Sequence, residues 1–267
     1  MELNPRFQRL ALLTGLEAVE ALSATRVIVF GLGGVGGWCA EALVRSGVGN
    51  IVLVDSDIVC ITNINRQVQA TTRTVGISKA QTLKERLMEI NPACHVKAEQ
   101  RVFEKKGTLE QTVLEFGLDR CDYVIDAIDS VSCKLDLIEA AALAGVTFFS
   151  SMGTALKLDP SRLKTADIWK TSGCPLARLV RQGLKKRGFT GSFTVVYSEE
   201  QIPRRDDIPV SCGTGVCLCP EANRNAGGKS AEWCSLKKVI NGSSVTVTAA
   251  AGMILASLVI RHITERQ

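Results

Sequence analysis

Four glycines at fixed spacing, in Gly31-Leu-Gly33-Gly34-Val-Gly36, follow a β-branched run and open a helical pattern. Glycines in that setting allow a tight turn and let backbone N–H groups approach a phosphate at a helix N-terminus. Asp55 ends the next apolar run, 19 positions after Gly36, where a carboxylate can accept ribose hydroxyls. On these residues alone a nicotinamide dehydrogenase and an ATP-binding protein are both open.

The residues that follow favour phosphate chemistry. Asp55-Ser-Asp57 precedes Thr62-Asn63-Ile64-Asn65-Arg66-Gln67, and Lys79 follows at the start of another helix. An arginine and a lysine beside a nucleotide pocket offset phosphate charge, which hydride transfer does not require. Taken singly, Asn63 reads equally as a helix cap and Arg66 as a surface charge. In Tyr123-Val-Ile-Asp126-Ala-Ile-Asp129-Ser130, Asp129 falls just past a strand, on the carboxyl edge where open α/β sheets bind ligands. It could hold Mg²⁺ against ATP phosphates, because a hard cation takes oxygen ligands and few protein carboxylates. It could equally cap the helix beginning near Val131.

These side chains need a scaffold, and the pattern supplies an α/β one. Short β-branched runs at 26–30, 50–55, 95–99, 122–128 and 146–150 alternate with helical periods at 34–46, 75–90, 108–116 and 131–144. Such alternation predicts right-handed βαβ units, a mainly parallel Rossmann-like sheet with helices on both faces. Beyond residue 151 the regularity fades, predicting an irregular C-terminal half with a strand-like Thr194-Val-Val-Tyr-Ser and a mobile loop over 203–242. A Val/Thr strand and a buried helix are expected over 244–264. The organisation read from this is one domain, 1–267, with a nucleotide-binding core at 26–150 and a substrate-facing insertion at 151–243.

Composition agrees. With 267 residues, 46% hydrophobic and 22% charged, the chain can bury a substantial core, which excludes a disordered tail and a small disulfide scaffold. The net charge of +5 is compatible with a polyanionic partner without demanding one. The N-terminal run carries no uninterrupted apolar core of the secretory kind, so a cytoplasmic location is expected. The uncharged stretch 245–260 is short for a membrane span, and membrane association is not expected.

Taken together, the motifs resemble the ubiquitin-activating-enzyme-like (ThiF/MoeB-type) adenylyltransferases over residues 6–150. The matching elements are G-x-G-G-x-G at Gly31 to Gly36, D-x-D at Asp55 and Asp57, the Thr62 to Gln67 run, Lys79, and D-x-x-D at Asp126 and Asp129. The resemblance implies a homodimer that binds ATP and Mg²⁺ and adenylates a carboxylate. It places Asp55 on the ribose, Arg66 and Lys79 on phosphates and Asp129 on Mg²⁺. Asp57, Asn63, Gln67 and Ser130 complete the nucleotide set. Arg9, in Arg6-Phe-Gln-Arg9, is the candidate for an arginine sent into the partner's site, and Arg66, Lys79, Asp129 and Arg9 are the candidate catalytic groups.

Ile61-Thr-Asn-Ile-Asn-Arg-Gln-Val, Ser150-Ser-Met-Gly-Thr-Ala, Leu158-Asp-Pro-Ser-Arg-Leu, Ala166-Asp-Ile-Trp-Lys-Thr and Val195-Val-Tyr-Ser-Glu-Glu are similar to the branch that dehydrates threonylcarbamoyladenosine beside the tRNA anticodon. That likeness extends coverage to about residue 201 and implies acyl-adenylate formation followed by cyclisation. Rival readings are adenylation of a ubiquitin-like sulfur carrier and a non-catalytic tRNA-binding or scaffold protein.

Between Ile168 and Ser198 lie six cations, Lys170, Arg178, Arg181, Lys185, Lys186 and Arg187, and no carboxylate. Arg178, Arg181 and Lys185 recur at helical spacing, as a phosphate-facing helix would place them, or as an ordinary solvated face would. RNA is the expected polyanion, not DNA. Cys212, Cys217, Cys219 and Cys234 lack any C-x-x-C spacing, so zinc is not expected and free thiols are. Cys174 and Cys234 are where a sulfur-relay partner would act.

Overall fold

The computed structural model describes residues 3–205 and 241–266. Two short helices, α1 (Gln8–Thr14) and α2 (Leu16–Ala24), lead into β1 (Arg26–Phe30), then α3 (Gly36–Arg45), β2 (Asn50–Val54), α4 (Lys79–Ile90) and β3 (His95–Glu99). The chain continues through α5 (Leu109–Phe116), β4 (Tyr123–Asp126), α6 (Val131–Ala144) and β5 (Thr147–Ser151). It ends with β6 (Leu163–Asp167), α7 (Pro175–Lys186), β7 (Thr194–Ser198) and α8 (Val245–Thr264).

The seven strands form one sheet in the order β3-β2-β1-β4-β5-β7-β6. All pairs are parallel except β6 with β7. Strand order reverses between β1 and β4, which opens a crevice outside their carboxyl ends. The strands entering it are apolar and buried on both faces, as parallel strands sandwiched by helices must be. One core layer packs α3, α4 and α8 on the sheet, and the other packs α5, α6 and α7 on its opposite face.

The expected α/β class holds, but the C-terminal half is more regular than its sequence suggests. Residues 163–167 form the antiparallel edge strand β6, whose alternation is blurred because only one of its sides is covered. The expected strand over the start of 244–264 is absent, and α8 is helical from Val245. Ser244 caps it by accepting from the Thr246 N–H at 3.3 Å, and the Thr248 hydroxyl bonds back to the Ser244 carbonyl at 3.1 Å. Local β propensity yields here to packing on α3, where Gly252 approaches so closely that an added Cβ would lie 2.5 Å from the Val35 carbonyl. At 20 residues α8 is long and apolar enough to span a bilayer by composition, yet Val247, Ala251, Leu255 and Val259 are buried in the core. Of the expected loop 203–242, residues 206–240 lie outside the described residues, and so do Cys212, Cys217, Cys219 and Cys234.

Candidate active site

The glycine loop leaves β1 directly into the crevice. Gly31 has φ +83°, and an added Cβ would lie 2.6 Å from the Ala127 carbonyl, so the turns after β1 and β4 touch backbone to backbone. Asp55, just past β2, accepts the Leu32 N–H at 2.6 Å and the Asp57 N–H at 2.8 Å. Its carboxylate therefore fixes the loop as well as facing the crevice. Burial raises the Asp55 pKa, with Lys79 acting against that shift.

Lys79 begins α4, whose N-cap is Ser78. Its ammonium is buried and reaches Asp57 Oδ2 at 2.7 Å. Burial alone would lower its pKa, but the charges of Asp55 and Asp57, with a smaller contribution from Asp129, hold it above the ordinary lysine value. The result is a fixed positive charge among carboxylates, one of which, Asp55, also holds Leu32 of the glycine loop.

Arg66 is half-buried. Its stem lies on the glycine loop, since a Cβ at Gly34 would fall 3.2 Å from Arg66 Cγ. Its Nη1 donates to the Thr62 carbonyl at 2.7 Å and to Asn65 Oδ1 at 2.9 Å. The indole of Trp38 holds the Arg66 carbonyl at 3.1 Å. Burial lowers the Arg66 pKa, and the nearby Cys60 and Asp129 oppose that. Asn63 is not the N-cap considered for it: Cys60 holds that position of the 3-10 turn Ile61–Asn63, and Asn63, at its third residue, accepts the Cys60 N–H on its Oδ1 at 3.0 Å. Gln67 is buried, with its amide facing Gly33. Asp129 and Ser130 are exposed at the crevice edge, and Ser130 holds the N-cap position of α6 that was considered for Asp129.

The structure also supplies groups the motifs did not reveal. Lys134, wholly buried on α6, bonds Asp126 Oδ2 at 2.6 Å, Ser150 Oγ at 3.3 Å and the Ser151 carbonyl at 3.1 Å. Asp126 in turn accepts the Ile128 N–H at 3.0 Å, fixing the turn that carries Asp129. Asp126 is thereby a buried support and not a ligand-facing acid. A lysine on the apolar stripe of a helix eight positions after an aspartate was the available signal.

Outside the crevice the basic segment divides. Lys170, Arg178, Lys185 and Lys186 are exposed. Arg181 is half-buried and donates to the Thr171 hydroxyl. Arg187 departs from the expected phosphate-facing set: it forms ion pairs with Asp136 and Glu139 of α6, each at 2.7 Å. Cys174 is buried at the N-cap of α7, which gives a sulfur-relay partner no exposed thiol there. Arg9 is exposed on α1, beside Leu12 and Leu13 at 83% and 82% exposure.

A sequence profile described as the ThiF family matches residues 7–267. A Bacillus subtilis protein named tRNA threonylcarbamoyladenosine dehydratase is 40% identical over 261 residues, covering 97% of this chain and 95% of that one. An Escherichia coli protein of the same name is 37% identical over 260 residues, covering 94% and 91%. The crystal structure of the E. coli dehydratase in complex with ATP superposes with a TM-score of 0.77 at 30% identity, covering 98% of this chain and 94% of that one.

Proposed function

The chain belongs to the ThiF family, and from that premise we propose that it is an ATP-dependent tRNA threonylcarbamoyladenosine dehydratase acting at position 37. The observation that carries the reading is the buried Lys79 ammonium, held at 2.7 Å from Asp57 and acted on by the charge of Asp55, the carboxylate that holds Leu32 of the glycine loop on which the Arg66 stem lies. A fixed cation pair at a helix-capped crevice suits a reaction that develops charge on phosphate oxygens.

In this reading Asp55 receives the ribose and the loop Gly31, Gly33, Gly34, Gly36 faces the phosphates, with Asn63 and Gln67 shaping the wall. A carboxylate oxygen of the modified nucleoside attacks the α-phosphorus, and the bond to pyrophosphate breaks. An atom of the same side chain then attacks the acyl carbon. AMP departs with the former carboxylate oxygen, a proton is released, and the substrate has lost one water. Ring closure within one side chain enjoys a high effective molarity and needs no enzyme nucleophile. Asp129 and Ser130 offer oxygen donors at the exposed edge of the crevice, the set Mg²⁺ takes when phosphates and water supply the rest. Bound there, the cation would offset phosphate charge.

Three further elements complete the proposal. The exposed Leu12 and Leu13 suit a contact between two copies, with Arg9 delivered to the partner's crevice. Lys170, Arg178, Lys185 and Lys186 suit tRNA phosphates. The whole chain acts as one domain, in the cytoplasm where its tRNA substrate is found. The rival acceptor, a ubiquitin-like sulfur carrier, would leave that basic face without a role.

The test has two arms. Nucleoside mass analysis of tRNA from cells lacking the chain should show threonylcarbamoyladenosine in place of its cyclic form. ATP–pyrophosphate exchange by the purified protein should depend on modified tRNA and not on a carrier protein. Cyclic nucleoside persisting in those cells would overturn the assignment.

A further inference from the structure

Arg66 borders a second space besides the crevice. A solvent-open cleft of about 600 Å³ lies between the 61–66 turn and the entry to α8, lined by Ile61, Ile64, Asn65, Arg66, Asn241 and Ser243. Its size falls within the range of ligand clefts. We infer that this cleft is the acceptor subsite, which takes the purine nucleoside whose acyl carboxylate is adenylated. The inference rests on the function proposed above and names where its acceptor sits.

Position is the first argument. The Arg66 stem lies against Gly34 while its guanidinium is fastened to Thr62 and Asn65, so one side chain forms a wall of both the glycine loop and the cleft. An acid carried by a group in the cleft therefore abuts the phosphate end of the crevice, where the attacking oxygen has to be. A near-attack geometry of this kind demands that acceptor and nucleotide share a boundary.

Chemistry is the second. Ile61 and Ile64 stand 45% and 38% exposed on an otherwise polar turn. Aliphatic surface serves neither a triphosphate nor a cation, but it matches the face of a base drawn out of its stack, as enzymes that act on a nucleobase require. The Asn241 side-chain amide at the rim carries both donors and an acceptor, the complement of a base edge.

Rigidity is the third. Asn65 Nδ2 donates to the Ser243 carbonyl at 3.0 Å, while its Oδ1 accepts from Arg66. Both ends of one amide thus tie the two walls together and set the arginine between them, a preorganisation that a merely superficial dent would not need.

The test uses the full-length protein, ATP and an anticodon stem-loop bearing threonylcarbamoyladenosine. The double variant Ile61→Ser/Ile64→Ser changes exposed side chains, so folding should be kept. Its KM for the stem-loop should rise roughly tenfold or more, the effect of losing the platform under one base, while ATP affinity and molecular mass in solution stay as in the wild type. Ile61→Val/Ile64→Val should restore the wild-type KM. An unchanged KM in the serine variant, with an active wild type, would overturn the inference and leave the dehydratase assignment standing. A fall in molecular mass would instead assign the cleft to a contact between copies and overturn it too. A wild type that never converts the stem-loop would end both readings together.

Discussion

At the residue scale the decisive feature is a charge arrangement. Lys79 sits with two carboxylates, Asp55 and Asp57, whose attraction outweighs the burial that would otherwise discharge it. Because its folded pKa is raised, the stability this contributes is fully present below the ordinary lysine value and is lost only as pH rises through the higher folded value. The ammonium is therefore charged throughout the working range, and the pH–rate profile should show no Lys79 titration below about pH 10. Replacing it in Lys79→Met leaves two carboxylates facing incoming phosphates. ATP–pyrophosphate exchange should fall by about 10²- to 10³-fold, the usual effect of removing a preorganised electrostatic group. A loss below fivefold would remove Lys79 from the reaction. Lys79 and Arg66 were legible in the sequence because phosphate chemistry demands those types near a glycine loop. Asn65 was not, because its partner lies 178 positions away and only folding brings the two together, and Lys134 showed only as a lysine on an apolar helix stripe, its bond to Asp126 being set by the packing of α6 on the sheet.

At the element scale the crevice depends on how α3 and α4 are held. Glu41 of α3 is buried, and Arg86 of α4 reaches it at 2.5 Å and Arg45 at 2.8 Å. Burial would raise its pKa, but the hydrogen bonds of Arg86 and Arg45 prevail and depress it. A depressed carboxylate contributes stability above its unfolded value that is lost as pH falls through the folded one. Glu41→Gln should therefore cost about 1–3 kcal/mol at pH 7, and the gap from wild type should close as pH drops below about 4.5. Thermal melting of both proteins across that window checks it, and a gap independent of pH would refute the clamp. The strands β1, β2, β4 and β5 and the helices between them were readable because parallel strands covered on both faces are near-continuous apolar runs, while β3, His-Val-Lys-Ala-Glu at the sheet edge, was legible from its place in the strand–helix alternation. Two elements were not. β6 hides its alternation at a sheet edge, and α8 has a Val-Thr-Val-Thr start that reads as strand until its packing against α3 is seen.

At the scale of the whole molecule the sheet brings its chemistry to one edge and leaves its apolar surplus at another place. The strand-order reversal between β1 and β4 gathers residues from 31 to 129 at a single crevice, whereas Arg9 and its exposed leucine neighbours sit on α1, outside that set. If a second copy covers α1, each crevice is completed by the other chain's arginine, and that arrangement has an arithmetic signature. In a twofold dimer built from one Arg9→Ala chain and one Lys79→Met chain, one crevice receives both lesions and the other receives neither. Random reassociation of equal amounts makes half the dimers mixed, so two inactive variants should together regain roughly a quarter of wild-type exchange activity. If Arg9 served its own chain, each crevice of the mixed dimer would carry one lesion and mixing would restore nothing. The same exchange assay reads both outcomes, after the chains have been unfolded and refolded together so that partners are redistributed.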